Sequence, residues 1–135
     1  MATRGQVKFV DRGCVAANIY THWDSYPDGE CGRLNELNRF FQDVKEQCGG
    51  VTNDAEYLAA KYIVWKALEQ CDDDNPNPLK FSGIGPCLED HGDIEYIYLV
   101  DCDKRDPETG FPTVTYKEAG WRLRKEELTA DQCVD

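Results

Sequence analysis

The chain has 135 residues, 15 Lys+Arg against 26 Asp+Glu for a formal net charge of −11, and 7 cysteines. That length fits one domain with its own core, and a hydrophobic share of 41% with 11% aromatic residues excludes a disordered chain despite the charge. No apolar run approaches the roughly 18 to 20 residues that span a bilayer, and a chain this acidic has no basic face with which to grip nucleic acid directly.

In chain order, Gln6 to Val10 and Val15 to Trp23 alternate apolar and polar residues, with Val15, Ala17, Ile19 and Trp23 on one side of the second run. Period two predicts two strands, and Asp11-Arg12-Gly13 between them predicts a hairpin. After the turn at Pro27-Asp28-Gly29, Leu34, Leu37, Phe41, Val44 and Cys48 fall at steps of three and four and predict a helix that ends at Gly49-Gly50. A second helix is predicted from Asn53, with Asn53 and Glu56 forming a capping box, to about Gln70. Leu58, Tyr62, Trp65 and Leu68 form one apolar stripe on it, and Tyr57, Ala60, Val64, Ala67 and Cys71 form a neighbouring one. Two stripes make a broad apolar face, so this helix is expected at the buried centre of the domain. Beyond the acidic, proline-bearing stretch 72–78, strands are predicted at Leu79 to Ile84, at Asp93 to Val100 with Ile94, Tyr96, Tyr98 and Val100 facing one way, and at Thr113 to Lys117. The loop Asp106-Pro107-Glu108-Thr109-Gly110 joins the last two, and a short helix is predicted near Glu126 to Gln132. The sum is ββααβββ, a single α+β domain over residues 1–135 with two helices packed on one face of a mostly antiparallel sheet.

The acidity is concentrated. Residues 21–110 hold 20 acids against 8 bases, a balance of −12, whereas the remaining segments are close to neutral. Such a field attracts basic surfaces and repels nucleic acid and anionic membranes. The cysteines lie 15 to 31 positions apart. No pair has the close spacing of a zinc knuckle, so no zinc site is expected; no metal ligand and no cofactor is assigned, and the odd count reads as reduced thiols of mostly apolar role, with up to three disulfides open to a secreted chain. Residues 1–10 lack the apolar core of a secretory leader, which favours a cytoplasmic protein or an already processed one.

Chemistry is most concentrated at Tyr20-Thr21-His22-Trp23-Asp24-Ser25-Tyr26-Pro27, where a strand enters a loop. If strand alternation continues to Asp24, His22 and Asp24 share a face, and a carboxylate beside an imidazole can fix its tautomer. His22, Trp23, Asp24 and Tyr26, with Arg33 at the helix start as an anion contact, are the candidate ligand-binding residues; no catalytic residue is assigned. Glu89-Asp90-His91 with Asp93 and Glu95 is a second polar cluster, which approaches His22 only if its strand pairs beside the second one; two histidines and several carboxylates could then form a site for a divalent metal. Calcium-loop spacing fails at both acidic loops, where Pro78 and Arg105 occupy positions that need glycine and an oxygen ligand. P-loop, dinucleotide, nucleophile-elbow and zinc-protease signatures are missing.

His22-Trp23-Asp24-Ser25-Tyr26-Pro27, with Asp54-Ala55-Glu56-Tyr57-Leu58-Ala59-Ala60-Lys61 and Gly92-Asp93-Ile94-Glu95-Tyr96-Ile97-Tyr98, resembles a group of small uncharacterised phage and bacterial proteins that carry a His-Trp-Asp-Gly-Tyr-Pro segment. Ser25 stands where that segment has glycine. The resemblance implies a phage or prophage setting and carries no activity with it. Two functions are therefore expected from the residues. The first is an acidic, non-enzymatic binding protein that engages a basic host protein, such as a nucleic-acid-binding defence factor. The alternative is a small enzyme or nucleotide-binding domain built on the His22/Asp24 pocket.

Overall fold

The computed structural model describes residues 3–119. Strand β1 (Gly5–Asp11) and strand β2 (Cys14–Thr21) form the antiparallel hairpin that their alternation predicts. Helix α1 (Arg33–Cys48) and helix α2 (Ala55–Glu69) follow, then strands β3 (Ile84–Pro86), β4 (Tyr96–Arg105) and β5 (Pro112–Glu118). The sheet order is β3-β2-β1-β4-β5. All neighbours are antiparallel except β1 and β4, which the two intervening helices allow to run parallel. The fold is thus α+β, with both helices on the face of the sheet that carries Val7, Phe9, Ile19, Tyr98 and Val100. The helix expected near residues 126–132 lies outside the described residues.

Several local expectations are corrected. The hairpin register shifts between Phe9 and Val10, so Val10 pairs with Val15 and Ala16 is the extra residue of a bulge. That bulge turns Val15 to the face opposite Ile19, where it is exposed. Leu79 to Ile84 is not a strand: Asn77 accepts a hydrogen bond from the Leu79 amide at 3.0 Å and opens a 3-10 turn over Pro78–Lys80, and the edge strand begins only at Ile84. Ile94 does not share a face with Tyr96 and Tyr98; it precedes β4 and packs with Ile97 and Ala119 on the far side of the sheet. The cap of α2 is Asp54 rather than Asn53, accepting from the Tyr57 amide at 3.1 Å, and Asp11 of β1 accepts from the Ala55 amide at 2.7 Å. The hairpin thereby supplies one of the partners that helix N-terminal amides require.

The largest correction concerns α2. Ala55, Leu58, Ala59 and Tyr62 are buried against the sheet and α1, but Tyr57, Val64 and Leu68 are exposed. One helix flank meets the sheet and α1, and on the other Tyr57, Val64 and Leu68 are each more than half exposed. Cys48 likewise lies exposed at the end of α1, beside Gly49, whose φ of +81° closes the helix. The six described cysteines are all free thiols.

Candidate functional site

Strand β2 ends at Thr21 because the chain turns there. His22 still donates its amide to the Gly83 carbonyl at 2.7 Å, one step beyond the β2 and β3 ladder. Asp24 then takes φ +54°, the left-handed region that Asp tolerates better than most residues, and the alternation of faces is lost. No hydrogen bond joins His22 to Asp24, and Asp24 is exposed. Ser25, next in the chain, is fully buried and keeps an ordinary φ, so the position where the resembling segment has glycine carries a side chain here without backbone strain. Its hydroxyl sits 2.7 Å from that of Thr21, its amide donates to the Thr3 carbonyl at 3.1 Å, and its carbonyl accepts from the Tyr98 hydroxyl. A Cβ at Gly5 would lie 2.7 Å from the Ser25 Cβ, which is why β1 opens on glycine.

Arg33 holds this loop from inside. Its side chain is 0% exposed and donates to the Trp23 carbonyl at 2.9 Å, the Ser25 hydroxyl at 3.2 Å, the Tyr62 hydroxyl at 3.2 Å and the Glu36 carboxylate. Tyr62 donates to Glu36 at 2.7 Å, and Lys66 donates to the other carboxylate oxygen. Burial pushes the Glu36 carboxyl up, but Arg33 and Lys66 outweigh it and hold the group below its ordinary range. The same burial lowers Lys66 and raises Tyr62 well above the usual phenol range. The Arg33 Nε is buried without a hydrogen-bond partner among the described residues.

This geometry corrects the reading of Arg33 as an anion contact. The guanidinium has no surface, and the amides at the start of α1 are taken: Arg33 and Leu34 donate to the carbonyls of Tyr26 and Pro27 at 2.8 and 3.3 Å. Gly32 permits that closure, since a Cβ there would lie 2.2 Å from the Asp28 carbonyl oxygen. Arg33 is a buried clamp, and Tyr26 contributes a backbone acceptor to it.

Outside the clamp, Tyr20, His22 and Trp23 share a shallow pocket of about 450 Å³ with the segment from Ser82 to Cys87 and with His91. The ring of Tyr20 stacks on His91 at 4.2 Å, and its hydroxyl lies 2.9 Å from His22 Nδ1. Arg4 donates to the same nitrogen at 3.3 Å. The His22 ring meets Trp23 edge-on at 4.5 Å, and Trp23 lies across Gly83, where a Cβ would come within 2.6 Å of the indole nitrogen. The second polar cluster does reach this face, through His91, although the carboxylates serve other partners. Asp90 is hydrogen-bonded by Gln6, Lys8 and Asn18, and Asp93 pairs with Arg4 at 3.4 Å.

Among the described residues, the pocket does not bring together the parts of a hydrolytic or nucleophilic centre. The groups at His22 Nδ1 are a guanidinium and a phenol rather than an orienting carboxylate. Cys87, the thiol in the pocket wall, is pushed upward by burial and by Asp90, the reverse of an activated thiolate. No group of three or more His, Cys, Asp or Glu side chains among the described residues is arranged to hold a metal ion. Nor is any helix among them long and apolar enough to cross a membrane.

Sequence reasoning missed Ser25, Glu36, Tyr62 and Lys66 as parts of one cluster. Glu36 and Arg33 are three apart, and Tyr62 and Lys66 four apart, so each pair was available as a helical neighbour. Only the packing of α1 on α2 brings the pairs together. These features define a small α+β domain whose ionisable interior is structural and whose outer surface is acidic. No protein-family model, curated protein or solved structure matches the chain.

Proposed function

We propose that the chain is an acidic binding protein of phage type that occupies the basic surface of a host protein, such as a nucleic-acid-binding defence factor. One observation carries the reading: within residues 21–110, fifteen acidic side chains are exposed against four basic ones. Arg33 and Lys66 are spent inside the molecule on Glu36, so the surface is more one-sided than the composition. A field of this kind accelerates encounter with cationic surfaces and competes there with phosphate backbones. The phage setting rests on the resemblance at His22 to Pro27.

The test is affinity capture from bacterial lysate at low salt, followed by stepwise salt elution and then competition with duplex DNA. Bound proteins are expected to be basic nucleic-acid binders that salt or DNA releases. Capture of neutral or acidic proteins, or capture that neither salt nor DNA weakens, overturns the reading.

The pocket at Tyr20, His22, Trp23 and His91 supports a second reading, a site for a planar small ligand such as a nucleobase. Titration with nucleotides should then quench indole fluorescence in the native protein and not in Trp23→Ala. Equal quenching in both proteins removes it.

A further inference from the structure

The exposed flank of α2 is continuous with an open groove of about 750 Å³ between the two helices. Tyr57, Val64 and Leu68 are 68%, 59% and 56% exposed and fall seven and then four positions apart, on one side of the helix. Val44 and Cys48 of α1 form the opposite wall, with Trp65 between them. An open groove walled by exposed apolar side chains, on a chain rich in charge, offers a place for a partner's apolar face to be buried.

The floor of the groove is fixed in advance. Trp65 donates its indole N–H to Asp43 at 2.7 Å across the two helices, and the Arg39 guanidinium lies 5.6 Å over the Trp65 ring while pairing with Glu69. Such a site costs little ordering when it is filled. From Tyr57 to Leu68 the groove runs eleven residues, roughly 17 Å at a rise of about 1.5 Å each, which matches three turns of a guest helix.

Charge selects the guest. Within the groove Lys61 and Arg39 offset Asp43 and Glu69, and the exposed Asp72, Asp73 and Asp74, which continue from its α2 end, leave that end negative. The carbonyl end of α2 adds partial negative charge at the same place. A second copy of this chain brings −11 of its own to that rim, and like charges in apposition oppose the pairing.

We infer that the α1/α2 groove docks an amphipathic helix of a partner protein, with leucine-like residues on the face it buries and lysine or arginine on its flanks. The inference rests on the acidic-binder reading and adds to it where, and by what secondary structure, the partner is held.

The test uses a synthetic 15-residue helical peptide with leucine at i, i+3, i+4 and i+7 spacing and lysine elsewhere. A second peptide of equal charge carries glutamine in place of each leucine. Against the native protein, the leucine peptide is expected to bind at least tenfold more tightly than the glutamine peptide. It should also protect Cys48 from alkylation while leaving the exposed Cys14 and Cys31 as reactive as before. In Val64→Ser/Leu68→Ser, whose positions are more than half exposed so that the fold survives, the two peptides should bind equally. Equal binding to the native protein, an unchanged ratio in the double variant, or protection that does not single out Cys48 overturns the groove. Salt-sensitive binding of both peptides to both proteins leaves the acidic-binder reading standing without the groove, and binding of neither peptide removes both. A concentration-dependent dimer of the native chain that the double variant abolishes assigns the groove to a second copy instead.

Discussion

Glu36 is the side chain whose removal tests the interior most sharply. Its carboxylate takes hydrogen bonds from Arg33, Tyr62 and Lys66, and all four groups are buried. Glu36→Gln keeps the volume and one acceptor oxygen but leaves two buried cations facing a neutral amide. Breaking a buried ion pair on one side costs about 3–5 kcal/mol, because the charge left behind is uncompensated. Unfolding entropy of about 2.1 cal/mol/K per residue gives roughly 0.28 kcal/mol/K for a chain of this length, so the midpoint should fall by about 11–18 °C. Urea and thermal unfolding followed by circular dichroism measure both quantities. The sign with pH follows from the depressed Glu36 carboxyl. Its contribution is fully present above the ordinary carboxylate value of about 4.3 and is lost as pH falls through the lower value it has in the fold. The native protein should therefore lose more stability on acidification than Glu36→Gln does. A cost below about 1 kcal/mol, or parallel pH profiles, refutes the argument that this carboxylate compensates both cations.

Gly83→Ala places a Cβ at φ +86° and 2.6 Å from the Trp23 indole, so a loss of about 1–3 kcal/mol with a shifted tryptophan emission is expected from unfolding fluorescence. Cys102 is buried, and burial pushes its thiol up to about 11; timed alkylation with peptide mapping should find it unreactive at neutral pH while Cys14, Cys31 and Cys48 are modified. Asp72→Asn/Asp73→Asn/Asp74→Asn should slow association with a basic partner and flatten its salt dependence, read by stopped-flow mixing, with the thermal midpoint held. The turn survives because the amide oxygen of an asparagine at position 72 can accept the same bonds, from the Asp74 and Asn75 backbone positions at 2.9 and 2.7 Å, that Asp72 accepts now.

The elements that periodicity specifies were legible in the sequence, and those that depend on register were not. Val7, Phe9 and Ile19 alternate and lie in the core, and Leu37, Phe41 and Val44 repeat at helical spacing and do the same. The bulge that expels Val15 comes from one extra residue in β2, which leaves no mark in a hydrophobicity pattern. On α2 the pattern is genuine and the inference from it fails, since an apolar stripe records what a helix can bury and not whether the domain supplies something to bury it. The candidate site divides along the same line. Tyr20, His22 and Trp23 meet in one pocket because they are sequence neighbours at a strand end. Asp24 leaves because a single left-handed residue resets the alternation, and Arg33 leaves because α1 turns its first residue inward toward α2.

The interior and the surface are linked through charge. Eight bases lie in residues 21–110; Arg33 and Lys66 are committed to Glu36, Arg39 to Glu69, and Arg105 ties down the carbonyls of Val51, Thr52, Cys102 and Gly110. Half of the positive charge in the acidic region is thus engaged in holding helices and loops. Only one acid, Glu36, is buried with the cations, so its companions remain to set the field outside. A partner of the kind proposed would therefore meet a surface more negative than the composition implies. At physiological ionic strength that field reaches about 8 Å, enough to orient a cationic helix before apolar contact begins. Electrostatics would then govern the rate of encounter, while Tyr57, Val64 and Leu68 govern how long the partner stays. Removing the apolar side chains should raise the dissociation rate at unchanged association rate, and removing the aspartates should lower the association rate at nearly unchanged dissociation rate.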